Sequence, residues 1–93
     1  MLEKIVIVFR QIKNRMVFDS ELEIPTNMTA NDLIVALNQL FDLGMNINKI
    51  QSCYLKAENP IALLKGDKTI ADIGLINGSI VIYNDNIAGE KFK

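Results

Sequence analysis

Three kinds of hydrophobic patterning divide this chain. From Thr29 to Gly44 the period is helical: Ala30, Leu33, Ile34, Leu37, Leu40 and Phe41 recur every three or four residues. They fall in a stripe roughly 120° wide, with Asn31, Asn38, Gln39 and Asp42 pointing away. Thr29 suits the N-cap, Asp32 the capping-box position, and Gly44 the left-handed residue that closes a helix. From Met16 to Ile24 the period is two, with Met16, Phe18, Leu22 and Ile24 on one face and Val17, Asp19, Glu21 and Glu23 on the other. Ser20 interrupts the inward row, a place for a bulge or bend. Glu3 to Arg10 and Ser79 to Tyr83 are apolar on both faces, as central strands are.

The rest follows by punctuation. Gln11 to Arg15 is a hairpin tip, Pro25 ends the second strand, and Met45 to Ile50 is a loop tucked under the helix. Gln51 to Ala57 reads as a third strand with Cys53 and Leu55 on one side and Ser52, Tyr54 and Lys56 on the other. After a turn at Glu58-Asn59-Pro60, Ile61 to Leu64 suits an edge strand, and Lys65 to Lys68 turns again. Thr69 to Leu75 reads as one capped helical turn, and Asn77-Gly78 as a tight turn. The order is β-β-α-β-β-short helix-β, an α+β roll with one helix across a mixed sheet of four or five strands. Burying Leu33, Leu37, Leu40 and Phe41 contributes roughly 1.5–3 kcal/mol each before entropy is subtracted. Residues 1–83 form the domain, and 84–93, which lack periodicity, are expected to be a flexible tail.

Composition narrows the function. With 93 residues there is room for one core, and the longest apolar run, Ile5 to Phe9, is far short of the ~20 residues of a membrane helix. No signal-peptide pattern opens the chain, so a cytoplasmic domain without direct membrane insertion is expected. Ten basic and eleven acidic residues are interspersed for a net charge of −1, which argues against nucleic acid as a partner. Histidine is absent, and with it the commonest proton-transfer group and metal ligand.

Candidate chemistry is sparse. Cys53, the single cysteine, has no histidine partner and reads as a small core residue rather than a nucleophile. Asp72 caps a helical turn, and Glu58 and Asp67 lie in turns, so none carries chemistry. Gly66, Gly74 and Gly78 lack the strand–loop–helix setting of a phosphate loop. No catalytic residue, metal or cofactor is expected. A patch is expected instead. With Ile5, Ile7 and Phe9 inward, Val6, Val8, Val81, Tyr83 and Tyr54 share the outer sheet face, rimmed by Lys4, Arg10 and Lys56. The reverse parity on the first strand is the alternative. The hairpin tip Arg10, Lys13 and Arg15 reads as a solvated turn, with an acidic partner or lipid headgroups as its other reading.

Several stretches resemble ubiquitin and its β-grasp relatives. Thr29-Ala-Asn-Asp-Leu-Ile is similar to the capped start of the ubiquitin helix. Thr69, Ile70, Asp72, Ile73, Leu75, Asn77, Gly78, Ile80 and Ile82 follow the family's T-L-x-D-φ-x-I segment and last strand. Within that superfamily, Val17-Phe18-Asp19 and Gly74-Leu75-Ile76-Asn77-Gly78 resemble the small YukD/EsaB proteins. That resemblance implies a cytoplasmic accessory component of the type VII (WXG100/ESX-like) secretion system of Gram-positive bacteria, bound to other proteins of the machinery and drawn through them to the inner membrane face. The departure from ubiquitin is the end: conjugation and sulfur transfer need a terminal Gly-Gly, and here Ala88-Gly89-Glu90-Lys91-Phe92-Lys93 stands instead. A non-conjugated binding module is therefore expected. A sulfur carrier or protein modifier after tail processing, and a β-grasp adaptor of an unrelated system, are the alternatives.

Overall fold

The computed structural model describes residues 3–84. Of the expected tail only Asn84 is therefore described, and it extends the last strand; 85–93 lie outside the described residues. β1 (Lys4–Lys13) and β2 (Met16–Pro25) form an antiparallel hairpin in unbroken register from Lys4↔Pro25 to Lys13↔Met16. Asn14 and Arg15 close it at φ 50° and 67°, the left-handed pair that matches the twist of a two-residue hairpin. No bulge forms at Ser20, which is the one-to-one partner of the buried Phe9. A small residue facing a large ring needs no extra residue in the strand.

α1 (Ala30–Phe41) starts on a complete capping box: Thr29 Oγ1 accepts the Asp32 N–H at 3.0 Å, and the Thr29 N–H donates to Asp32 Oδ2 at 3.3 Å. Ala30, Leu33, Ile34 and Leu37 are buried, and Phe41 lies against Phe9 with ring centroids 4.9 Å apart. Leu40 does not join them and is 67 % exposed. It overlooks β2, the last strand on that side, so no further strand lies beneath it. The helix also ends earlier than Gly44. Asp42 adopts the left-handed conformation, at φ 55°, which its short polar side chain tolerates. Asn38, expected to point away, instead holds the next loop, accepting the Met45 N–H at 2.9 Å and donating to the Met45 carbonyl at 3.2 Å. This places Leu43 and Met45 in the core.

A 3₁₀ segment (Ile47–Ser52) follows, its start capped by Asn46, which accepts the Asn48 N–H at 3.1 Å. Gln51 and Ser52 therefore lie in that segment, and the third strand starts only at Leu55. β3 (Leu55–Glu58), β4 (Ala62–Leu64), α2 (Ile70–Ile73) and β5 (Ile80–Asn84) complete the chain. Thr69 caps α2 as expected, accepting the Asp72 N–H at 3.1 Å, and Gly74 ends it at φ 95°. The sheet order is β2-β1-β5-β3-β4, with β1 and β5 parallel and the other pairs antiparallel. The two strands read as apolar on both faces thus lie side by side within the sheet. One face packs on α1 around Ile7, Phe9, Leu55 and Val81; on the other, the described residues are exposed or half-buried.

Candidate protein-interaction surface

Register decides which side chains reach the outer face. In the hairpin, Val6, Val8, Arg10 and Ile12 pair with Glu23, Glu21, Asp19 and Val17, so these eight share one side of the sheet. β5 pairs with β1 as Val8↔Ile80, Phe9↔Val81, Arg10↔Ile82 and Gln11↔Tyr83. Ile80 and Ile82 therefore point outward beside Val8 and Arg10, whereas Val81 and Tyr83 point inward beside Phe9 and Gln11. Val81 is fully buried and Tyr83 is 1 % exposed, its hydroxyl donating to the Leu43 carbonyl at 2.9 Å. The expected patch is thus corrected at both β5 positions. Two isoleucines take the place of the valine and tyrosine.

The other expected members stand where the alternation put them. The inward parity of β1 holds: Ile7 and Phe9 are buried, Val6 is 41 % exposed and Val8 half-buried. Tyr54 is half-buried just before β3, and Lys56 is exposed opposite Ile82. Lys4 is exposed at the start of β1. Arg10 is not a free rim cation. Its Nε and Nη2 donate to Asp19 Oδ1 and Oδ2 at 2.9 and 3.0 Å, a two-pronged pair across the hairpin. That hydrogen bond holds the Asp19 carboxyl below its ordinary range and raises the Arg10 guanidinium further. With Glu21 and Glu23 beside it, the β2 side of this face is acidic. The basic rim survives only at Lys4 and Lys56.

Beyond the expected residues, Ile61 and Leu63 extend the apolar surface across β3 and β4. Ile61 is 90 % exposed and Leu63 54 %, and Leu63 pairs with Lys56. With Ile12, Tyr54 and Ile82 they line an open groove of about 630 Å³. The signal was present in Ile61-Ala62-Leu63-Leu64: a short strand with large aliphatics at alternating positions must expose one row.

Cys53 is fully buried, its thiol 3.5 Å from the Asn46 carbonyl and 3.6 Å from that of Lys49, in keeping with a core role. Among the described residues no three His, Cys, Asp or Glu side chains gather as metal ligands, and no helix is long and apolar enough to cross a membrane. Asn77 serves the fold: its Oδ1 accepts the Val6 N–H at 2.7 Å, and Gly78, at φ 89°, donates to the Val6 carbonyl at 2.9 Å.

No family model matches the sequence, and no curated protein matches it. Among solved structures the chain is similar to the solution structure of a ubiquitin-like domain from tubulin-binding cofactor B. The TM-score is 0.68 at 20 % identity, covering 90 % of this chain and 91 % of that one. The fold is that of a ubiquitin-like β-grasp.

Proposed function

We propose that this ubiquitin-like domain is a non-enzymatic, non-conjugated binding module whose contact surface is the outer sheet face, acting as a cytoplasmic accessory component of a type VII secretion system. The observation that carries the binding role is the apolar row Val8, Ile80, Ile82, Leu63 and Ile61. Large aliphatic side chains gathered on one open face, with Tyr54 and Lys56 among them, are what a protein partner buries. A ubiquitin-like fold is itself well suited to adaptor work, since one sheet face is left over once the helix has covered the other. The secretion role is supported by the likeness of Val17-Phe18-Asp19 and Gly74 to Gly78 to the YukD/EsaB proteins. Partners are then proteins of that machinery, which draw the domain to the inner membrane face.

The test is affinity capture from a Gram-positive bacterium that carries the system, comparing the wild type with an Ile61→Asp/Leu63→Asp variant. Both positions are exposed, so the variant keeps the circular dichroism spectrum of the wild type. Loss of a secretion-machinery protein from the variant alone is the expected result. Retention of that protein by the variant refutes the face, and its absence from the wild-type capture refutes the secretion role. Intact mass of the native protein separates this reading from a covalent modifier, which requires a tail trimmed to glycine or a thiocarboxylate.

A further inference from the structure

β2 is an edge of the sheet, and its backbone and side chains together define what can pair with it. In a hairpin closed by two residues, the pair flanking the turn is hydrogen-bonded and every second pair down the ladder is not. Lys13↔Met16 flanks the turn, so Val17, Asp19, Glu21 and Glu23 direct their N–H and C=O groups away from β1, toward the open edge. The β1 side agrees. Val6 and Val8, opposite Glu23 and Glu21, turn their backbone the other way: Gly78 donates to the Val6 carbonyl at 2.9 Å and Val8 donates to the Ser79 carbonyl at 2.9 Å. Three of these four residues, Asp19, Glu21 and Glu23, therefore combine outward backbone groups with outer-face carboxylates.

The two sides of this edge differ sharply. On the outer side, Asp19 is occupied by Arg10, while Glu21 and Glu23 have no cationic side chain within ion-pair distance among the described residues. On the inner side, a shallow apolar groove of about 220 Å³ runs between β2 and α1, past Leu22, Met28, Ala36 and Leu40. A second copy of this chain is a poor occupant. Two β2 strands laid edge to edge set one acidic row against the other, and like charges across a strand pair are destabilising.

We infer that the β2 edge accepts an extended protein segment as an added strand, with basic side chains at alternate positions over Glu21 and Glu23 and apolar side chains between them entering the groove beside Leu22 and Leu40. Backbone hydrogen bonds supply the attachment, and the two side-chain rows supply the selectivity. The site lies across the sheet from Ile61 and Leu63, so it stands or falls independently of the outer-face proposal.

The probes are two capped peptides, Lys-Val-Lys-Val-Lys and Glu-Val-Glu-Val-Glu, titrated into the ¹⁵N- and methyl-labelled protein. With the lysine peptide, the Val17, Asp19, Glu21 and Glu23 amides and the Leu22 and Leu40 methyls shift saturably, and those amides exchange more slowly. The glutamate peptide leaves them unmoved. Glu21→Lys/Glu23→Lys weakens the lysine peptide on the order of tenfold and transfers the preference to the glutamate peptide. Leu40→Asp weakens binding without changing the preference. The substituted residues are exposed, and retained dispersion of the remaining amides verifies the fold. Equal response to both peptides, shifts centred on Tyr54 and Ile82, or no saturable shift in the wild type overturns the inference, as does pairing between copies in place of peptide binding.

Discussion

Replacing Tyr83 by phenylalanine removes one oxygen atom and leaves the ring to fill the same space. That oxygen is buried and donates to the Leu43 carbonyl at 2.9 Å, joining the last strand to the loop that leaves α1. Without it the carbonyl loses this partner in a place water does not reach. Such a loss costs about 1–2 kcal/mol, less than the 3–5 kcal/mol of removing a whole buried aromatic side chain. For a domain of this size that lowers Tm by about 4–15 °C. Thermal and urea unfolding measure it, and an unchanged urea m-value shows that the surface exposed on unfolding is the same. Were Tyr83 on the solvent face, Tyr83→Phe would be almost silent. A change below about 0.3 kcal/mol therefore refutes the inward placement of Tyr83 and the β1–β5 register with it.

Three further outcomes are expected. Thr29→Ala removes the hydroxyl that caps α1 and lowers stability by about 1 kcal/mol in urea unfolding, with the helix signal otherwise retained. Gly78→Ala forces a side chain into φ 89°; no atom lies within 4 Å of the added carbon, so the cost is conformational, about 1 kcal/mol, in the same assay. Asp19 titrates below the ordinary carboxylate range of about 3.9, because the Arg10 hydrogen bond favours its charged form. Its folded value is the depressed one, so the pair's contribution is full above the unfolded value and fades as pH falls through the folded one. The stability difference between wild type and Asp19→Asn shrinks on acidification from neutral pH to about pH 3; a difference independent of pH refutes the assignment.

Much of this fold was legible because several levels of patterning agreed. Thr29 and Asp32 marked the helix start and Thr69 and Asp72 the second cap; β1, apolar on both faces, left two parities open, and the structure has the one with Ile7 and Phe9 inward. β5 failed for a physical reason. Ile80 to Tyr83 is apolar on both sides, leaving Ser79 as the one polar residue to set the parity, and Ser79 is fully buried in the same row as Val81 and Tyr83. Its hydroxyl escapes the usual penalty of burial by donating to the Asn59 carbonyl at 2.6 Å and accepting the Ile76 N–H at 2.9 Å. Those partners come from two different turns and cannot be read from local sequence. Leu40 failed differently. A helical stripe records which residues point one way, and not how many strands lie beneath them. Arg10 was read as a rim cation because its partner, nine positions on, is set by hairpin register rather than by spacing.

The parallel pairing of β1 with β5 also constrains how the chain comes to be folded. β1 is finished by Lys13 and its neighbour in the sheet begins only at Ile80, so the hairpin and α1 emerge during synthesis with one long edge of β1 still unpaired. The side chains of Ile7 and Phe9 then wait for Val81 and Tyr83 to complete their surroundings. Contacts so distant in sequence slow folding and keep partial structures open to wrong pairings. Nascent chains that stop short of Ile80 should remain protease-sensitive, and protection should rise in one step once Asn84 is free to pair with Ile12.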